Sequence, residues 1–503
     1  MPERNVLIVG AGPTGLALAL ELARRGVPFR IVERHDGPGQ ASRAMAVHAR
    51  TLEFYRQLGF ADEVVARGFK MERAHLREGD HEVASFAFGD LGEGLSPYPF
   101  VLSFPQDEHE RLLIAKLEEA GTAVEWGTEL VGLENGEERV RATLRRGGAE
   151  ESCEVAYLCG CDGAHSAVRE GLGLGFPGGT YEQMFYVADV EASGAPAGGD
   201  INAYLGADQL CLVFPIRTSG MQRLIGILPE ELKGREGLVF DDVRPYAERL
   251  TGLTVRTVNW FSSYHVHHRV ADRFRVGRAF IAGDAGHIHS PAGGQGMNTG
   301  IGDAVNLAWK LDAVLSGRAT PAILDTYEPE RIAFARLLVS TTDRAFTSIV
   351  GRDTRGHIVR TLLIPNLGPF LLGFSAVRRA AFRLVSQIRI NYRESPLSVG
   401  SAGDVEGGDR LPWVEEAHNF EPLRSLDWQA HVYGEAGERL RAFAASRSLA
   451  VHAFAWGEGA RAAGLERDAL YLVRPDGHVA FASGEQDVAG LERFLDRFRI
   501  VTK

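Results

Sequence analysis

The chain has 503 residues, 45% hydrophobic and 24% charged, the composition of a globular protein too long for one core, so roughly two to four domains are expected. A formal net charge of -11 with no run of basic residues excludes a phosphate-neutralising surface, and with it nucleic acid as a partner. Four cysteines in this length exclude a disulfide framework. Cys153, Cys159 and Cys161 lie close together but lack the His partners of a zinc site, and they read as buried reduced thiols of a cytosolic protein.

The N-terminal MPERNVLIVG has no basic region followed by a long apolar stretch, so it reads as a strand rather than a signal peptide, and a cytoplasmic location is expected. Asn5 to Gly10 is an apolar strand, Leu16 to Arg25 has helical periodicity closed by Gly26, and Phe29 to Glu33 is a second strand. This strand-helix-strand unit opens a doubly wound parallel sheet. Helices are expected from about Ala46 to Leu58 and Asp107 to Ala120, and strands over Ala123 to Leu133, Val140 to Arg145 and Cys153 to Cys159.

From about Tyr181 to Tyr264 the alternating pieces Met184 to Val190, Gln209 to Ile216 and Leu224 to Leu228 predict a mixed or antiparallel sheet inserted into the first domain. Helices are expected from about Gly302 to Asn391. The most membrane-like segment, Thr361 to Val377, is broken by Pro365 and Pro369 and reads as buried helical packing, without stable membrane insertion. Ser398 to Asp409 looks like a Gly-rich linker, followed by a last unit with strands at Ala450 to Ala455, Leu470 to Val473 and His478 to Ala482. The expected domains are therefore 1–180 with 270–395, the inserted 181–269, and 400–503.

Three segments carry chemistry. GAGPTG, Gly10 to Gly15, has a strand before it, a helix after it, and Glu33 at the end of the second strand. Gly10 permits the tight turn, Gly12 lets backbone approach a pyrophosphate, Gly15 allows close helix–strand packing, and Glu33 accepts from a ribose diol. CDGAHSAVRE puts Asp162 after a strand with Ser166 and Arg169 beyond it. GDAGHIHSPAGGQGMN puts Asp284 after the strand Ala279 to Ala282. Several loops over one sheet edge suit a single long cofactor. The His265, His267 and His268 cluster alternates along a strand, a poor geometry for a metal, and no metal site is expected.

The combination GAGPTG, VER, SRA, Gln106 with Arg111, DGAHSAVR and GDAGHIHSPAGGQGMNTGIGDAVNLAWKL closely resembles the FAD-dependent aromatic hydroxylases, over almost all of residues 1–395. These are single-component flavin monooxygenases typified by 4-hydroxybenzoate hydroxylase and by polyketide hydroxylases. The resemblance implies an α/β fold: a Rossmann-like FAD-binding domain, the inserted β-sheet substrate domain, and a C-terminal thioredoxin-like domain. That last unit carries no cysteine, so it is not redox-active, and a scaffold or homodimer contact is its reading.

By position, the resemblance assigns Gly10, Gly12, Pro13, Thr14 and Gly15 to the pyrophosphate, Glu33 and Arg34 to the adenosine, and Leu130 to the adenine. It assigns Arg43 and Gln106, supported by Arg111, to the flavin and pyrophosphate, Asp284 to the ribityl chain, and Asp162 with Arg169 to FAD and NAD(P)H. Pro291, Gly294, Gly296, Met297 and Asn298 would lie beside the isoalloxazine. The reduced flavin is an anion, which backbone donors at a helix N-terminus stabilise. His287 reads as a hydrogen-bonding neighbour of the aspartate, while Pro291 and His289 are the catalytic candidates. For an aromatic substrate, Tyr204, Leu212, Phe214, Pro215 and Trp260 are candidate pocket residues.

The implied reaction uses NAD(P)H and O2 to hydroxylate a phenolic or polyketide-type aromatic through a flavin C4a-hydroperoxide. Baeyer–Villiger insertion or epoxidation, and a flavin-binding protein that sequesters a reactive intermediate, remain open. Flavin halogenases share the first fingerprint, but the W-x-W-x-I-P segment is missing.

Overall fold

A computed structural model describes residues 6–39, 44–79, 81–87, 89, 91–194, 200–206, 209–216, 221–290, 294–350 and 375–502. The strands Val6–Val9, Tyr157–Gly160 and Ala279–Ile281 are buried at every position, as strands covered on both faces require. They pair in parallel in a five-stranded sheet with the order Arg275–Val276, Ala279–Ile281, Tyr157–Gly160, Val6–Val9, Phe29–Val32. Only the edge strand Arg275–Val276 is antiparallel. Between the first two strands in sequence runs the helix Pro13–Arg25. Pro13 starts it with a preset φ, and Gly26, in the left-handed region at φ 73°, closes it by donating to Ala23 and Leu22 carbonyls.

The inserted sheet is larger than the 181–269 span. Its order is His287–Ile288, Thr254–Val270, Gly178–Ser193, Met221–Ile227, Leu210–Pro215, Ile201–Leu205, Arg73–Glu78, His81–Ala87. Two strands thus come from 73–87, where Ile201–Leu205 pairs in parallel with Arg73–Glu78, so the sheet is mixed. At the other edge His287 and Ile288 pair with Val270 and Arg269. The Gly-rich segment after Asp284 is thereby clamped to the substrate sheet as well as to the parallel sheet.

Two further expectations are corrected. The helix placed from about Gly302 begins at Gly296 and runs Gly296–Leu315. Glycine disfavours helix by propensity, but close packing overrides it: a Cβ on Gly300 would sit 3.1 Å from the Gly283 Cα and closer still to the Thr14 hydroxyl. Ser398 to Asp409 is a hairpin and not a linker. Val399–Ala402 pairs with Val405–Glu406 and, in parallel, with Val479–Ser483. Gly400, Gly403 and Gly408 take φ of +75°, +59° and +98°, so the glycines that suggest looseness are what the tight turn demands.

The C-terminal unit has Gln429–Tyr433 parallel to Ala450–Phe454 across the helix Glu438–Ser446, then the antiparallel pair Leu470–Val473 and Val479–Ser483, then the helix Val488–Arg497. This order is consistent with the expected thioredoxin-like unit. It shares its core with the first domain: Trp309 meets Trp428 edge-on at 5.6 Å and donates to Asp476 at 3.1 Å. Glu330, fully buried, accepts from Lys310 at 2.8 Å and from Arg474 at 2.9 and 3.0 Å. Burial alone would raise the Glu330 pKa, but Arg474 and Lys310 bring it down to about 2. The four cysteines are free and buried. Among the described residues no helix is long and apolar enough to cross a membrane, and no group of His, Cys, Asp and Glu could hold a metal. Residues 361–374 of the apolar segment lie outside the described residues.

Candidate functional site

One cavity of about 1020 Å³ runs from the first strand-helix turn to the inserted sheet. Its first end is lined by Gly10, Gly12, Pro13, Thr14, Glu33, Arg34 and Leu130, its middle by Gln106, Asp162 and Asp284, and its far end by His289, Gly294, Gly296, Met297, Leu212 and Phe214. The parallel sheet produces this convergence. The strands ending at Val9, Gly160 and Ile281 are adjacent and in register, so the three loops that follow them leave the same edge.

Two helices aim uncapped N-termini into the cavity. Pro13–Arg25 has Gly12 at its N-cap and no side-chain cap, and a Cβ added at Gly12 would meet nothing within 4 Å. Gly296–Leu315 has Gln295 at its N-cap, again with no side-chain cap. Its first intrahelical donor is Thr299, which reaches the Gln295 carbonyl at 2.9 Å. Donor-bearing helix ends with open space before them fit an anionic group at each position. Glu33 at the first end accepts from Ala11 N–H at 3.0 Å and meets His35 Nδ1 at 2.5 Å, so its carboxylate is already oriented.

The middle loops are tied to one another. Asp162 accepts from Ser166 Oγ at 2.5 Å and Val168 N–H at 3.1 Å; burial raises its pKa, and these bonds oppose the rise. Arg169 donates to the Ala285 carbonyl at 3.1 Å and the Ala164 carbonyl at 2.8 Å, binding the Asp162 loop to the Asp284 loop. Gln106 accepts from Ala44 N–H at 3.1 Å. Asn298 does not line the cavity. Its side chain holds the wall together instead, accepting from His48 N–H and Thr51 Oγ1 and donating to the Ala46 and Gly294 carbonyls.

The remaining expected positions divide by geometry. Gly15 faces away from the cavity and packs on the Gly10 carbonyl. Arg111 is 55% exposed and pairs with Asp107 at 3.0 Å, one helical turn away. Arg43 and Pro291 lie outside the described residues. On the inserted sheet, strand parity decides. Ile201, Ala203 and Leu205 line the cavity, whereas Tyr204 between them is buried in the sheet's other core with Cys211 and Val213. Likewise Leu210, Leu212 and Phe214 face the cavity. Pro215 and Trp260 do not line it: the Pro215 carbonyl accepts from Ser103 Oγ, and Trp260 lies over Arg223 at 6.0 Å.

Sequence reasoning missed three groups. Asp303, fully buried, accepts from Gly283 N–H at 2.9 Å, His287 Nε2 at 2.8 Å and Arg331 Nε at 2.5 Å, and so braces the turn that presents Asp284. His287 therefore bonds Asp303, not Asp284. Burial would raise the Asp303 pKa, but Arg331 and His287 hold it lowered. Its sequence signal is a carboxylate between the apolar positions Ile301 and Val305 of a buried helix, which must be paired to be buried. Phe185, Ile225, Met71 and Leu76 extend the apolar wall, and Ala381, Phe382 and Val385 of the helix Ser375–Val385 close it. None of these carries a motif.

Residues 3–342 match the family model of an FAD binding domain, and residues 408–499 that of an aromatic-ring hydroxylase C-terminal domain. The 6-methylpretetramide 4-monooxygenase of Streptomyces rimosus is 39% identical over 80% of this chain and 72% of its own length. The 12-dehydrotetracycline 5-monooxygenase/anhydrotetracycline 6-monooxygenase of the same species is 32% identical over 98% of both chains. A ternary complex of aklavinone-11 hydroxylase with FAD and aklavinone superposes with a TM-score of 0.81 at 26% identity, covering 99% of both chains. The chain belongs to the FAD-dependent aromatic hydroxylases: it is a monooxygenase that binds FAD, draws electrons from NAD(P)H and hydroxylates an aromatic substrate.

Proposed function

We propose that the substrate is a phenolic, fused-ring compound of the polyketide type, bound between the inserted sheet and the N-terminus of the helix Gly296–Leu315. The observation that carries this reading is the continuity of the cavity from Gly12 to Phe214. Its first part has helix-end donors and oriented carboxylates suited to a dinucleotide, and its last part has an apolar wall suited to aromatic rings. The tetracycline and aklavinone hydroxylases named above support the same substrate class.

FAD bound there supplies, once reduced by NAD(P)H, the activation of O2 and the oxygen atom transferred. The chain's own tasks follow from where its groups stand. Gly12 and Thr14 would offer backbone donors to the pyrophosphate, Glu33 would accept from the ribose, and Asp284 would accept from the ribityl hydroxyls. The uncapped N-terminus of the helix Gly296–Leu315, with Met297 lining the cavity, would favour negative charge on a flavin bound beside it. Leu212, Phe214, Phe185 and Ile225 position the aromatic and exclude water. The C-terminal unit acts as a scaffold, supported by the core it shares with the first domain through Trp309, Trp428 and the Glu330–Arg474 pair.

The test is purified protein carrying FAD, supplied with NAD(P)H, 18O2 and a hydroxylated fused-ring aromatic. Aromatic-dependent NAD(P)H consumption with one 18O on a ring carbon is expected. An 18O-labelled lactone or epoxide instead would replace hydroxylation by Baeyer–Villiger insertion or by epoxidation, respectively.

A further inference from the structure

We propose that His289 is the substrate-recognition residue of the cavity: its Nε2 accepts a hydrogen bond from a hydroxyl on the aromatic and so sets which ring carbon faces the flavin. This rests on the reading of the cavity as a phenol site given above.

The tautomer follows from the bonds. His289 Nδ1 lies 2.7 Å from the Ser290 carbonyl oxygen. A carbonyl only accepts, so Nδ1 carries the proton and Nε2 presents a lone pair. That Nε2 is buried and has no hydrogen-bond partner in the protein, a costly state for a polar atom unless something else occupies it. It lies beside the cavity end of the helix, 3.6 Å from where a Cβ on Gly296 would sit. The neighbouring Ser290 Oγ is buried without a partner too, and it also lines the cavity. Phe185, Leu212, Phe214 and Ile225 line the same cavity and offer a hydroxyl nothing.

Position and charge agree with this role. The residue follows directly on His287–Ile288, the edge strand of the inserted sheet, so its backbone is fixed where the substrate wall meets the flavin-side loop. Burial, with His287 nearby, pushes its pKa down to about 4, so the ring is neutral at ordinary pH and remains an acceptor. Such an imidazole is too weak a base to hold a phenol proton. It orients the hydroxyl, and an aromatic without one leaves the lone pair buried and unpaired.

The experiment titrates the FAD-loaded protein with 1-naphthol and with 1-methoxynaphthalene, following quenching of flavin fluorescence. Native protein is expected to bind 1-naphthol roughly tenfold more tightly than its ether. In His289→Leu the preference collapses, with naphthol affinity falling roughly tenfold while the ether and FAD content change little. His289→Gln, which keeps an acceptor, restores part of the preference and guards against a folding defect in the leucine variant. Undiminished discrimination in a folded, FAD-loaded His289→Leu overturns the inference and leaves the hydroxylase reading intact. So does a loss of FAD affinity with discrimination retained. A native protein that binds neither compound overturns the phenol-site reading itself.

Discussion

The two walls of the cavity are built on different principles. On the flavin side the working atoms are main-chain N–H groups at two helix ends, brought close by glycines at 10, 12, 296 and 300 and braced from behind by Asp303 and Asn298. On the substrate side they are side chains projecting from every second position of two strands, Ile201–Leu205 and Leu210–Pro215. A backbone-built wall tolerates few residue types, whereas an apolar wall needs only the right parity and volume. The first is therefore vulnerable to single substitutions and the second is adjustable.

Breaking the brace behind the flavin wall is expected to have the largest effect. Asp303→Asn leaves Arg331 buried without its counter-charge and loosens the bonds to Gly283 and His287. A loss of about 3–5 kcal/mol in stability, measured by denaturant titration, is expected together with loss of bound FAD.

Acid separates the frame from either wall. His109 and His431, fully buried, are pushed by burial down to about 3, below the ordinary value near 6.5. Their folded pKa is depressed, so their neutral forms contribute fully above pH ~6.5, and stability is lost as pH falls from there toward 3. Near pH 5 each costs about 2 kcal/mol. Thermal melts should show midpoints falling between pH 6.5 and 5, and His109→Gln should flatten that part of the profile. A midpoint constant over this range would contradict the assignment.

Adjacent residues on the substrate wall sharpen the contrast. Val213→Ala, on the core face, should destabilise by about 1–2 kcal/mol with aromatic affinity unchanged. Leu212→Ala, on the cavity face, should weaken aromatic binding several-fold, roughly 1 kcal/mol, with little change in melting temperature. Equal behaviour of the two would mean that the strand does not alternate as described. The smallest effect is expected for Arg111→Ala: the arginine itself is 55% exposed, so its ion pair with Asp107 is screened by water, and FAD retention and stability should shift by less than ~0.5 kcal/mol.

What the sequence determined by itself follows the same division. Gly10 to Gly15, Glu33, DGAHSAVR and Asp284 were legible because tight strand-to-loop turns at one sheet edge restrict local residue choice, and local choice is what a sequence displays. The buried strands Val6–Val9 and Leu470–Val473 were legible from apolar runs of strand length. Tertiary structure decided the rest. Tyr204 and Ala203 differ by one step of parity that composition does not reveal. The helix start at Gly296 depends on Thr14 and Gly283 packing against Gly300, and the hairpin at 399–406 depends on pairing with Val479–Ser483, far along the chain. Asp303 and Glu330 acquire their meaning only from Arg331 and Arg474, which the fold brings to them. His289 stood in the sequence as one of two histidines. Only the fold gave His287 to Asp303 and left His289 with its Nε2 unpaired beside the cavity, because the two ring environments are made by residues far apart in the chain.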